Sequence, residues 1–139
     1  MTTQKPSVLF VCSKNGGKSQ MAAALMRDLA GDSVTVHSAG TKPGTDLNAQ
    51  SVESLNELGI SVEGEFPKPV TSEVLDEVDA VIVLGTEAKL EAPEGKRFEI
   101  WETDEPSLRG IEGMERMRLV RDDIRARVEA LYADIVPKG

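Results

Sequence analysis

Apolar residues in this chain follow two rhythms. Residues 7–12 (SVLFVC) and 79–84 (DAVIVL) are short, continuous, β-branched runs, the pattern of strands covered on both faces. Residues 34–39 form a third strand candidate, closed by Gly40 and a turn-rich stretch at 42–45, and residues 98–101 a fourth. Between the first two, residues 19–30 place Met21, Leu25, Met26 and Leu29 on one helical face with alanines beside them. The spacing of Val52, Leu55 and Leu58 predicts a helix over residues 48–58, stopped by Gly59. Residues 114–135 carry Met117, Val120, Ile124, Val128, Leu131 and Ile135 at intervals of three and four, the signature of one long amphipathic helix. Strands alternating with helices predict an α/β domain with a mostly parallel sheet, and right-handed crossovers place helices on both of its faces.

Composition narrows the class. At 139 residues with no repeat or linker-like stretch, the chain reads as a single domain over residues 1–139. Its 40% apolar and 29% charged content excludes wholesale disorder. Apolar runs stop far short of the roughly 18 residues a membrane span needs, and the polar opening at residues 1–6 lacks a signal-peptide core. One cysteine forbids an internal disulfide framework and a Cys-rich zinc site, so the expected compartment is the cytoplasm. A net charge of −8 argues against nucleic-acid binding. That charge is uneven: residues 1–27 hold Lys5, Lys14, Lys18 and Arg27 and no acid. Such a segment suits an anion site, although chance produces it too in so short a stretch.

Chemistry concentrates in the loop after the first strand, Cys12-Ser13-Lys14-Asn15-Gly16-Gly17-Lys18-Ser19. Open α/β sheets collect ligands at the carboxyl ends of their strands, and this loop leaves such an end and enters a helix. Asn15, Gly16 and Gly17 tolerate positive φ, so successive N–H groups can turn inward as an anion nest, joined by the helix N-terminus. Cys12 at the start of that cradle is favoured as thiolate, the nucleophilic form. A lone cysteine ending an apolar strand is ordinarily a small core residue; the combination with loop, cation and serine makes the functional reading the stronger one. The loop also matches part of the Walker A pattern at Gly17-Lys18-Ser19, but its first glycine would fall on Cys12. Asp79 precedes its strand rather than ending it, so a magnesium-binding partner is missing and a nucleoside triphosphatase is disfavoured.

The better match is Cys-x5-(Arg/Lys)-Ser, carried as Cys12-x5-Lys18-Ser19. With Val8-Leu-Phe-Val-Cys12, Ser38-Ala-Gly-Thr41, Gly59-Ile60, residues 79–84 and residues 101–106, the chain resembles the low-molecular-weight tyrosine phosphatase superfamily, including its arsenate reductases. The resemblance covers nearly the whole chain and implies a four-stranded parallel sheet flanked by helices. It also implies that Cys12, Lys18 and Ser19 act in catalysis and that Ser13, Lys14, Asn15, Gly16, Gly17 and Lys18 form the oxyanion-binding loop. The family's general acid is an Asp directly before Pro. Here Glu105 precedes Pro106 with Asp104 one residue earlier, and Asp104 is slightly preferred for its side-chain length.

Two departures choose among family members. Lys18 stands where the phosphatases have Arg, replacing a two-point fork with a point charge. The two resolving cysteines of thioredoxin-linked arsenate reductases are replaced by Gly85 and Ala92, leaving Cys12 without an internal partner. The single-thiol pattern, with residues 101–110, resembles the branch that uses mycothiol. The resulting expectation is an arsenate–mycothiol transferase. Arsenate and mycothiol are its substrates, a mycoredoxin-type reductase acts downstream, and no bound cofactor, metal, nucleic acid or membrane is involved. The alternatives are a low-molecular-weight tyrosine phosphatase and a non-catalytic oxyanion sensor.

Other residues read as structural. His37 is a strand residue without companion ligands, Trp101 packs beside the acid loop, and Tyr132 packs on the last helix. Arg109, Arg116, Arg118, Arg121, Arg125 and Arg127 alternate with acids and read as a solvated helix face, with Arg109 reaching over the site from its loop as the alternative.

Overall fold

The computed structural model describes residues 5–136; the opening residues 1–4 and the end of the single-domain span at 137–139 lie outside the described residues. Four strands, β1 (Ser7–Cys12), β2 (Thr35–Gly40), β3 (Ala80–Leu84) and β4 (Arg97–Trp101), form one parallel sheet in the order β2-β1-β3-β4. Helices α1 (Lys18–Ala30), α2 (Ala49–Asn56), α3 (Ser72–Glu77) and α4 (Gly113–Ile135) complete the α/β fold. The fold class and the strand assignments hold to within a residue or two at each end.

The two-residue period of the strands sorts the core into two layers. Val8, Phe10, Ala80, Ile82, Leu84 and Trp101 face α1, α2 and α4 in the larger one. Leu9, Val11, Val81 and Val83 face the other way, against Val74 and Leu75 of α3 and the long segment before β4. Both central strands are therefore buried throughout, which is why their sequences show no alternation. Trp101 packs as expected, its ring centroid 6.0 Å from that of Phe10.

Two elements differ from the sequence reading. The second helix is shorter: Asn48 is its N-cap, accepting from the Ser51 amide at 2.9 Å, and the backbone leaves the helix after Asn56. Helix α3 escaped the sequence reading because six residues with a single apolar pair carry too little periodicity. Its signal was the cap, Thr71 Oγ1 accepting from the Val74 amide at 3.2 Å.

The polar stripe of α4 is also less solvated than its alternating charges suggest. Arg121 is 8% exposed. It donates to the Ser54 carbonyl at 2.9 Å and to Glu57 at 3.0 Å, stitching α4 to the end of α2. Arg118 holds the other side of Glu57 at 2.7 Å. The apolar side of α4 is anchored by Ile124, which is wholly buried against α1 and the sheet. Ile124→Ala should lower the unfolding free energy by about 2–5 kcal/mol in chemical denaturation, the usual cost of such a cavity.

Candidate active site

The switch point of the sheet lies between β1 and its two neighbours, and the loop of residues 13–17 leaves β1 there. Its carbonyls are held outward. Those of Cys12, Ser13, Lys14 and Gly16 accept from the amides of Thr41, Lys42, Gly44 and Asn48 at 3.2, 2.8, 2.9 and 2.6 Å. A loop so anchored presents its N–H groups to the opposite side, in front of Cys12. The N-terminus of α1 adds its own amides, which no side chain caps.

Two glycines are required by contact rather than by φ. A Cβ on Gly40 would sit 2.6 Å from the Ser13 carbonyl oxygen, and one on Gly16 would sit 2.8 Å from that of Asp46. Both are backbone atoms, so neither position accepts a side chain without moving the loop.

Asn15 is the residue on which the loop turns. It is fully buried and adopts φ 54°, the left-handed region that Asn tolerates best among side-chain-bearing residues. Its Oδ1 accepts from the Lys68 backbone amide at 3.0 Å and from Gln20 Nε2 at 3.2 Å. A backbone amide can only donate, so the orientation of the Asn15 side chain is fixed. Its Nδ2 must then donate to Ser19 Oγ, 2.7 Å away. Ser19 Oγ in turn is hydrogen-bonded to Cys12 Sγ at 2.9 Å, a contact in which the thiol can donate, or the hydroxyl can donate to the thiolate. The Asn15 amide donates to the same sulfur at 3.2 Å. The sulfur is thus held from two sides, by a backbone amide and by a hydroxyl.

Cys12 forms part of the wall of a cleft of about 480 Å³, lined by Ser13, Lys14, Lys18, Glu87, Thr103, Glu105 and Arg116 among others. The structure brings Cys12, Ser13, Lys14, Lys18 and Glu105 to one cavity, with Asn15 and Ser19 behind the sulfur and Gly16 and Gly17 in the loop wall. Asp104 is not among the lining residues. Its carboxylate is turned onto Arg109 in a two-point pair at 2.8 and 3.1 Å, so Arg109 pairs with the acid loop instead of reaching over the site. The Arg109 guanidinium holds the Asp104 carboxyl below the usual range.

Glu105 is gripped more firmly. Arg116 Nε and Nη2 each donate to it at 2.7 Å, and Ser107 Oγ at 2.9 Å. The Arg116 guanidinium, with help from Ser107 and against the opposing effect of burial, lowers its pKa from an ordinary 4.5 to about 2. A general acid must carry a proton, and in this arrangement both candidates are anions at neutral pH.

Sequence reasoning placed Arg116 on a solvated helix face; in the structure it lines the cleft. It also missed Lys68 and Gln20, which orient Asn15. Lys68 had no legible signal, because only the pairing of its neighbour Pro69 with Gly40 brings it to the loop. Among the described residues no helix is long and apolar enough to cross a membrane, and no group of three or more His, Cys, Asp or Glu gathers as a metal site.

A thiol at the end of a parallel strand, ringed by outward-anchored peptides and fed by a helix N-terminus, is an arrangement suited to seating an oxyanion beside a cysteine. The chain belongs to the low molecular weight phosphotyrosine protein phosphatase family, whose family model matches residues 7–138. Within that superfamily it is 34% identical to a putative arsenate reductase of Halobacterium salinarum, over 92% of each chain. It is 30% identical to a glutaredoxin arsenate reductase of Synechocystis, over 92% of this chain and 97% of that one. Among solved structures it superimposes on a thioredoxin-dependent arsenate reductase of Corynebacterium glutamicum with a TM-score of 0.81 at 33% identity. That match covers 97% of this chain but spans only 64% of the Corynebacterium chain. An arsenate reductase in a phosphate-bound state gives 0.80 at 30% identity, covering 94% and 98%.

Replacing Asn15 by Ala leaves the buried Lys68 amide without its acceptor, removes one of the two partners of the Ser19 hydroxyl, and keeps a left-handed backbone on a residue that resists it. Asn15→Ala should lower the unfolding free energy by about 2–4 kcal/mol. It should also weaken inorganic phosphate binding measured by calorimetry. Acid should also act through two carboxylates. Glu57, lowered from 4.5 to about 2 chiefly by Arg118, behaves as Glu105 does. Folded-state values below the unfolded ones mean stability present above about pH 4.5 and lost as pH falls toward 2. Denaturation at a series of pH values should show that loss, with a shallower slope in Glu57→Gln and in Glu105→Gln.

Proposed function

We propose that this chain is an arsenate reductase working as an arsenate–mycothiol transferase in the cytoplasm. The observation that carries the reading is a single thiol, Cys12, held by Ser19 and Asn15 at the cleft, with no second cysteine anywhere in the chain. The arsenate reductases among its relatives support the choice of oxyanion.

In this mechanism the loop amides and Lys18 bind arsenate, and the Cys12 thiolate attacks arsenic. One As–S bond forms, one As–O bond breaks, and the oxygen departs as water, protonated by Asp104 or Glu105 after that carboxylate has taken up a proton from solvent. The external thiol then attacks arsenic and expels Cys12 as thiolate, so arsenic leaves as a conjugate still pentavalent. The two-electron reduction falls to a separate mycoredoxin-type protein acting on that conjugate.

The thioredoxin dependence of the Corynebacterium relative does not transfer easily. Thioredoxin reduces a disulfide, and one sulfur forms none within the chain. Lys18 further disfavours phosphatase chemistry, because an ammonium cannot span two equatorial oxygens as a guanidinium fork does.

The test is arsenate turnover with mycothiol, glutathione, bacillithiol or thioredoxin as sole reductant, beside aryl-phosphate hydrolysis without thiol. Turnover with mycothiol and its redoxin is expected, with an arsenic–mycothiol conjugate in the mass spectrum and no activity in Cys12→Ser. Steady turnover on thioredoxin alone, without a Cys12–Cys12 dimer on a non-reducing gel, would overturn the mechanism. Efficient ester hydrolysis without thiol would favour the phosphatase, and anion binding without any turnover the sensor.

A further inference from the structure

The cleft in front of Cys12 holds, beside Lys14 and Lys18, a third cation that belongs neither to the loop nor to its helix. Arg116 lies in the first turn of α4, and its side chain lines the cleft together with Cys12, Lys14 and Lys18. It also meets Lys18 in an adjoining crevice of about 150 Å³ that runs past Gly17, Asn48 and Ser51. Two cationic side chains thus border the same two cavities. Lys18 enters no salt bridge among the described residues, and Arg116 has Glu105.

We propose that Arg116 is a substrate-binding residue: its guanidinium exchanges the Glu105 carboxylate for the incoming tetrahedral oxyanion, supplying the two-point fork that Lys18 cannot. Glu105 is then a positioning residue that holds Arg116 extended along the cleft wall while the site is empty. Three features support the exchange. The Glu105 contacts are themselves two-point, at 2.7 Å each, so the fork already has the geometry in which a guanidinium grips two oxygens of one anion. The pair is a quarter to a third exposed, which keeps the exchange within reach of solvent. Thr103 Oγ1, buried on the same wall, has no hydrogen-bond partner, so the cleft has a polar atom still to be satisfied. Glu87 and Glu102 also line the cleft and oppose an anion, which makes a neutralised Arg116 a larger loss to the empty site.

This inference rests on the oxyanion-site part of the proposed function but not on thiol transfer. The probe is inorganic phosphate, titrated at fixed pH and followed both by calorimetry and by the Nε–H resonance of Arg116. In the wild type that resonance should move with the binding isotherm, and Glu105→Gln should tighten binding several-fold. The deciding comparison is Glu105→Gln against Glu105→Gln/Arg116→Gln, because neither leaves an unpaired carboxylate. The double variant should bind at least about tenfold more weakly, as expected for loss of a charge-assisted contact, and Glu105→Gln/Arg116→Lys should recover part of it. An unmoved resonance, or a double variant within about twofold of Glu105→Gln, makes Arg116 a strut for the acid loop and overturns the proposal. So does a wild type that does not bind phosphate at all. Thiol-dependent arsenate turnover insensitive to Arg116 would sink this inference alone; engagement of Arg116 without turnover would sink the transferase alone.

Discussion

Everything in the site depends on one buried amide. Asn15 is held in a left-handed backbone conformation, and the Lys68 N–H fixes which way its side chain faces. From that follow the donor to Ser19 and, through the Ser19 hydroxyl, the contact with the Cys12 sulfur. The first two steps have only one assignment because the Lys68 backbone N–H cannot accept. The relay carries a packing arrangement at the edge of the sheet to the hydrogen bond at Cys12 Sγ.

The sheet supplies the reason that relay can be rigid. Gly40 at the end of β2 receives the Lys68 segment on one side and the Ser13 carbonyl on the other, with no space for a Cβ. The loop is therefore clamped between two stretches of backbone, and its peptides cannot rotate to bring a carbonyl in front of Cys12. An oxyanion arriving there meets donors already oriented, so little reorganisation accompanies binding.

Both carboxylates of the acid loop are bound to arginines, Asp104 to Arg109 and Glu105 to Arg116, and neither is protonated in this arrangement. Pairing to α4 also positions the loop: the Asp104 amide donates to Asp123 at 2.9 Å, and Arg127 donates to the Glu102 carbonyl at 2.9 Å. The long terminal helix is thus both a layer of the core and the frame against which one side of the cleft is built.

Much of this was legible in the residues themselves. The continuous β-branched runs of β1 and β3 announced strands buried on both faces, and the spacing of α4 announced its apolar stripe. The Cys12–Ser19 segment showed its chemistry because nucleophile, loop and cation are adjacent in sequence, so local spacing carries the geometry. What the sequence could not give are the contacts between distant segments. Lys68 orienting Asn15, Arg116 turned into the cleft rather than to solvent, and Asp104 turned away from it are decisions among side chains that meet only after the sheet has formed. Alternating charge along α4 looks the same whether an arginine faces water, a carbonyl of α2 or a catalytic cleft. Periodicity records which side of an element is apolar; tertiary packing decides which polar groups that element's other side will find.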